Sequence, residues 1–134
     1  MSDDTIIELA GCLIFDEQGR ILLLHRSERD EWELPGGRTE GSDEPYEITA
    51  ARKMFEELNI DVEITETVGA TEFTRHDTTY RFHWYKGEIL DGSPAPQPIS
   101  DADDVRFVSR EEFVALGNLS PTLEQLIETW PEHE

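Results

Sequence analysis

Apolar positions recur at two spacings along the chain, and the switch between them marks out the elements. Residues Thr5 to Phe15 are rich in β-formers, Asp16-Glu17-Gln18-Gly19 reads as a turn, and Arg20 to Arg26 as a second strand. Ile21 to Leu24 is apolar without alternation, which predicts a strand covered on both faces. Glu31 to Leu34 is short and extended, Pro35-Gly36-Gly37 breaks it, and Arg38 to Asp43 is a polar loop. From Glu44 to Leu58 the period becomes helical, with Ile48, Ala51, Met54, Phe55 and Leu58 on one stripe and Arg52, Glu56 and Glu57 outside it. Pro45 suits the first turn of that helix and Asn59 its exit.

Two or three strands are expected within Asp61 to Leu90. In the last of them Tyr80, Phe82 and Trp84 point to one face, while Arg81, His83 and Tyr85 point to the other. Strict alternation marks the first set as core. Asp91 to Asp104, with its prolines, reads as a loop, and Val105 to Val108 as a brief strand. Ser109-Arg110-Glu111-Glu112 has the spacing of a capping box, and Ser120-Pro121 opens a last helix to Trp130 with Leu123, Leu126 and Ile127 inward. No repeat or linker interrupts the 134 residues, so one mixed α/β domain is expected, a sheet packed by helices.

Composition narrows the function classes. Thirty-one acids face 11 bases, a net charge of −20, which excludes a basic nucleic-acid-binding surface and a polybasic membrane surface. With 37% hydrophobic residues set in periodic blocks, the chain is nevertheless expected to fold. Only Lys53 and Lys86 are lysines, and the acids are dispersed, a pattern that suits a salt-adapted protein whose self-repulsion is screened by concentrated electrolyte. No apolar run approaches the roughly 20 residues of a membrane span. The acidic opening Met1-Ser2-Asp3-Asp4 is unlike a signal peptide, so a cytoplasmic location is expected. Cys12 is the single cysteine, which rules out an internal disulfide and reads as a small buried hydrophobe.

The stretch with chemical content is Gly36-Gly37-Arg38-Thr39-Glu40-Gly41-Ser42-Asp43-Glu44, followed by the helix and Arg52-Lys53-Met54-Phe55-Glu56-Glu57-Leu58-Asn59-Ile60. Glycines let backbone approach a ligand closely. Arg52 and Glu56 lie one helical turn apart, and Glu57 follows about 100° further round. Two carboxylates beside a glycine loop can form a hard-cation site, since Mg²⁺ takes oxygen ligands and is usually held by one or two carboxylates plus substrate phosphates.

This stretch resembles the signature box of the Nudix (MutT-like) hydrolases, here over about residues 37–60. Trp32-Glu33-Leu34-Pro35-Gly36-Gly37 is similar to the family's lead-in, and Glu44, Arg52, Met54, Glu56, Glu57 and Ile60 fall in register. The resemblance implies a Nudix-like α/β/α sandwich, a mixed β-sheet flanked by helices, as a single domain over 1–134. It also implies a divalent-metal-dependent hydrolase, using Mg²⁺ or Mn²⁺, that cleaves the diphosphate linkage of a small nucleoside diphosphate derivative. Many relatives form homodimers. Metal ligands implied on this pattern are Glu56, Glu57 and the Gly37 carbonyl, with Asp103 or Asp104 ahead of the Val105 strand. Arg52 would orient a carboxylate, and the general base would be Glu40 or an acid such as Asp101, Asp103 or Asp104.

Three positions depart from the family pattern. The loop from Gly37 to Glu44 is one residue longer, Asn59 replaces a glycine, and Lys53 replaces a metal-binding Glu. Lys53 then has two readings: a helix contact with Glu57 that weakens the site, or a point charge for a substrate phosphate. The first leads to the alternative function, a catalytically degraded module that binds a nucleotide or a protein partner. Trp32 is the best candidate to stack on a nucleobase, and Arg81 and Tyr85 could line a substrate cleft. His25, His76, His83 and His133 show no metal-ligand spacing and read as surface or packing residues.

Overall fold

The structure is a computed structural model that describes residues 6–28, 30–39, 44–97, 102–117 and 119. Glu40, Asp101 and the helix expected over Ser120 to Trp130 lie outside the described residues. The elements run β1 (Ile6–Ile14), β2 (Ile21–Arg26), β3 (Glu31–Glu33), β4 (Gly36–Arg38), α1 (Tyr46–Leu58), β5 (Asp61–Arg75), β6 (Thr78–Asp91), β7 (Ala102–Val108) and α2 (Arg110–Ala115).

Where one mixed sheet was expected, the strands form two. One has the order β4-β1-β6-β5 and is mixed, because β1 and β6 run parallel; the other, β3-β2-β7, is antiparallel. Of the two or three strands expected within Asp61 to Leu90, two are present, β5 and β6, and they pair as one long hairpin. Its turn is His76-Asp77, and both residues take positive φ (53° and 64°), the geometry that lets a two-residue loop follow the strand twist.

Side-chain alternation divides the interior into faces. Leu13, Ile21, Leu23, Trp32, Leu34, Phe82, Trp84, Val108 and Phe113 of α2 pack on one side, whereas Cys12, Ile14, Leu22, Leu24, Met54, Leu58 and Ile60 pack under α1. Helices thus flank the strands, as the α/β expectation required. β2 contributes to both sides, which is the reason its apolar run does not alternate. Cys12 is fully buried, and burial pushes its thiol pKa up to about 12. Among the described residues, no helix is long and apolar enough to cross a membrane.

Three local devices set α1 in place. Pro45 stands at its N-cap, one position before the expected first turn, and its carbonyl accepts from Ile48 and Thr49. Asn59 ends the helix in the left-handed conformation (φ 59°, ψ 41°) and donates its N–H to Phe55, as its substitution for glycine allows. The loop after β6 then returns: the Ala95 and Gln97 amides donate to the Leu58 and Glu57 carbonyls, capping the helix end. That assigns the first part of the Asp91–Asp104 loop to holding α1. At α2 the capping box is present, with Ser109 and Glu112 bonding each other's backbone N–H.

The inward face of α1 differs from the predicted stripe. Thr49, Ala50, Met54, Glu57 and Leu58 are buried, while Ile48 and Phe55 are 53% and 55% exposed. The helix is therefore turned by about one residue step, 100°, from the orientation its apolar residues suggest.

Candidate active site

Turning α1 that way carries Glu57 inward. The residue is only 7% exposed, and Oε2 lies 3.3 Å from Arg26 Nη2 on β2. Arg26 also donates through Nε to Glu33 on β3 at 2.8 Å, so one guanidinium ties two strands to the helix. Burial pushes the Glu57 carboxyl above its ordinary pKa, although Arg26, Lys53 and the Gly36 N–H each favour the ionised form. The other oxygen, Oε1, is buried and has no hydrogen-bond partner among the described residues.

Arg52 organises the outer part of the site. Its Nε and Nη2 donate to the two oxygens of Glu44, both at 2.9 Å, a bidentate pair, and Nη1 donates to Glu56 Oε2 at 2.9 Å. Nη2 also reaches the Arg38 carbonyl on β4 at 3.4 Å. Thr49 donates its hydroxyl to Glu44 at 2.6 Å, so Glu44 is held from two places on the helix. These contacts raise the Arg52 pKa, the Glu44 hydrogen bonds most, and hold the Glu56 carboxyl below its usual value through Arg52 first and then Lys53.

Lys53 contacts a different acid from the one its spacing suggested. Nζ is 3.4 Å from Glu56 Oε1, an i,i+3 pair, rather than paired with Glu57. Its stem lies against β4: a methyl group added at Gly37 would meet Lys53 Cε at 2.7 Å and Nζ at 3.2 Å. β4 can come this close to β1 because Gly11 and Gly36 are cross-strand partners, and a Cβ at Gly36 would clash with the Ala10 carbonyl at 2.6 Å. Gly37, Lys53, Glu56 and Glu57 are thereby brought together.

The remaining candidates fall elsewhere. Asp103 is 2.7 Å from His25 Nδ1, and Asp104 pairs with Arg106 at 2.9 Å while accepting from the Val105 amide. Among the described residues no three His, Cys, Asp or Glu side chains group as a metal site, so Asp103 and Asp104 do not join Glu56 and Glu57. A bulge in β7 opposite His25 and Arg26 accounts for it, since it aims Asp103 at His25. Trp32 is 9% exposed and packed in the core, with the Arg106 guanidinium 5.1 Å over its ring and His25 at 5.0 Å, so it offers no open stacking face. Tyr85 is likewise buried, packed with Ala10 and Ala50, which corrects its assignment to a cleft. Arg81 stays half-exposed between Glu8 and Glu72, and His83 stacks on Tyr46 at 3.7 Å.

Sequence reasoning missed Arg26, Glu33 and Thr49. Thr49 had a readable signal, since it stands in the first turns of the helix five residues after Glu44, which immediately precedes the N-cap. Arg26 had none, because its partner is 31 residues away.

Does this donor set suit a divalent ion? Glu57 Oε1 is the favourable feature: a buried carboxylate oxygen lacking a donor is satisfied by a cation. Glu56 is the second carboxylate, and the Gly37 backbone is close by. The third acid of the family pattern is absent, and the Lys53 ammonium stands beside Glu56 instead. The residues fit a single ion, one that would draw its other ligands from substrate and water.

The family profile described as NUDIX domain matches residues 8–130. A MutT-like protein of Streptomyces ambofaciens is 40% identical over 68 residues, which are 51% of this chain and 43% of that relative, so the match spans less than half of that protein. Among solved structures, the MutT protein from Methanosarcina mazei Go1 superposes with a TM-score of 0.84 at 23% identity, covering 96% of this chain and 95% of that one. An ADP-ribose pyrophosphatase from Streptococcus suis superposes with a TM-score of 0.70 at 24% identity and covers 96% of each chain. At such identities the two structures show a common fold.

Proposed function

The chain belongs to the Nudix family, and we propose that it is a pyrophosphohydrolase that cleaves the diphosphate linkage of a nucleoside diphosphate derivative, with Mg²⁺ or Mn²⁺ as cofactor. The whole of 1–134 is read as one such domain. The observation that carries the reading is Glu57 Oε1, the buried carboxylate oxygen without a partner, beside Glu56. Glu56, Glu57 and the Gly37 carbonyl would hold the ion. When bound, it would neutralise diphosphate charge and acidify the attacking water.

The chain's own residues do the rest by positioning. Arg26 holds Glu57 from the strand side and Arg52 holds Glu56 from the helix side, so two adjacent carboxylates are fixed by guanidinium groups. Arg52 is a positioning residue, because its hydrogen bonds among the described residues go to Glu44, Glu56 and the Arg38 carbonyl. Glu40, in the loop between β4 and α1, remains the candidate base; Asp104 is committed to Arg106. The similar fold of an ADP-ribose pyrophosphatase supports a nucleoside diphosphate linked to a second group.

The alternative, a module that binds a nucleotide or a protein partner without cleaving it, draws on the Lys53–Glu56 contact. Product chromatography separates the two, using nucleoside triphosphates, ADP-ribose, dinucleoside polyphosphates and nucleotide sugars in about 2 M KCl to screen surface charge, with Mg²⁺ or Mn²⁺. A metal-dependent product that disappears in Glu57→Gln is the expected result. No product from the folded protein would leave the binding module as the function.

A further inference from the structure

Of the three cations in this site, two are fully committed in place. Arg52 is clamped in a bidentate pair, and Arg26 spans Glu33 and Glu57. Lys53 is different. Among the described residues it holds Glu56 by one 3.4 Å contact, its stem rests on the bare backbone of Gly37, and no side chain at 37 blocks its ammonium. It therefore has a short path between the acidic pair and whatever lies over the glycine loop.

We propose that the Lys53 ammonium is a built-in cation, standing between Gly37 and Glu56 in place of one divalent ion and taking up the diphosphate of the substrate when it binds. This rests on the reading of the site as one for nucleoside diphosphates. Charge supports it. Glu33, Glu44, Glu56 and Glu57 face Arg26, Arg52 and Lys53, so these groups together carry one negative charge. A carboxylate at 53 would leave three, enough to attract a further divalent ion; the lysine removes that demand. A tethered ammonium is also always present, so it loses no freedom of translation on meeting the phosphate, and its flexible stem lets it leave Glu56 as the anion arrives. Glu56 Oε1 would then be free to help Glu57 hold a divalent ion, while Arg52 keeps Oε2. The Gly37 contact explains why this works at position 53 in particular: any Cβ at 37 would displace the stem.

Two titrations test this, both in about 2 M KCl to suppress adventitious binding to the acidic surface and both without turnover. Mn²⁺ binding, followed by electron paramagnetic resonance, is expected to show one more ion per chain in Lys53→Glu than in the native protein. Equal stoichiometry in the two would overturn the proposal. The hydrolysis-resistant methylene diphosphonate, added without metal and followed by calorimetry, is expected to bind about tenfold or more weakly to Lys53→Met. Unchanged affinity would overturn it as well. Circular dichroism confirms that both variants fold before either titration is read. Because neither titration depends on product, a chain that shows both changes yet fails the nucleotide panel loses the hydrolase reading and keeps this one.

Discussion

Arg26 on β2 and Glu57 on α1 meet at 3.3 Å, with both side chains largely out of solvent. This contact joins the antiparallel sheet to the helix that carries the acidic pair, and it gives a buried carboxylate its one strong counter-charge. Removing Arg26 takes this counter-charge from Glu57, whereas removing Glu57 leaves Arg26 with Glu33.

Arg26→Met is therefore expected to destabilise the fold by about 3 kcal/mol, the usual consequence of leaving a buried charge uncompensated. Guanidinium-chloride unfolding measures it. The double variant Arg26→Met/Glu57→Gln should recover part of the loss, because position 57 no longer carries a charge into the interior, whereas the Arg26–Glu33 contact stays lost. A double variant as unstable as the sum of the two single ones would contradict the pairing.

Arg52→Lys keeps the charge and removes the fork that holds Glu44 and Glu56. Turnover is expected to fall by about 10- to 100-fold, the range seen when groups that orient metal ligands are lost. The comparison is of kcat and KM at saturating metal. A variant with native kcat would show that the fork has no part in the chemistry.

His25 predicts a pH effect on stability. Both ring nitrogens face carboxylates, Asp103 at 2.7 Å and Asp30 at 2.9 Å, and the Asp103 hydrogen bond above all raises the imidazole pKa from its ordinary 6.5. A pKa raised in the folded state contributes stability that is full below the unfolded value and lost as pH rises through the folded one. The melting-temperature difference between the native protein and His25→Gln should thus be large at low pH and shrink on the alkaline side of 6.5. A difference that grows with pH would refute the assignment.

At net charge −20, the fold should depend on screening. Lowering KCl from about 2 M to about 0.05 M lengthens the Debye length several-fold, and the circular dichroism melt is expected to shift downward or vanish. An identical melt at both concentrations would remove the case for salt adaptation.

The chain by itself determined much of what depends on neighbours a few residues apart. The period-two strands, the doubly covered run at Ile21–Leu24, the capping box of Ser109 and Glu112, and the left-handed exit at Asn59 are all local, set by side-chain spacing and backbone preference. The box register placed Glu44, Arg52, Glu56 and Glu57 on one helix and its lead-in, and Arg52 pairs with Glu56 one turn on and with Glu44 eight residues back. The tertiary structure alone decided which face of that helix turns inward. Hydrophobic periodicity favoured Ile48 and Phe55, yet these are exposed while Glu57 is buried. The periodic pattern weighs each side chain by its own affinity for water and assigns a glutamate to the surface. Burying Glu57 becomes tolerable only once β2 presents Arg26 at that spot, and an ion pair across 31 residues leaves no trace in local spacing. The same holds for Asp103, whose contact with His25 follows from a strand bulge that only strand pairing creates.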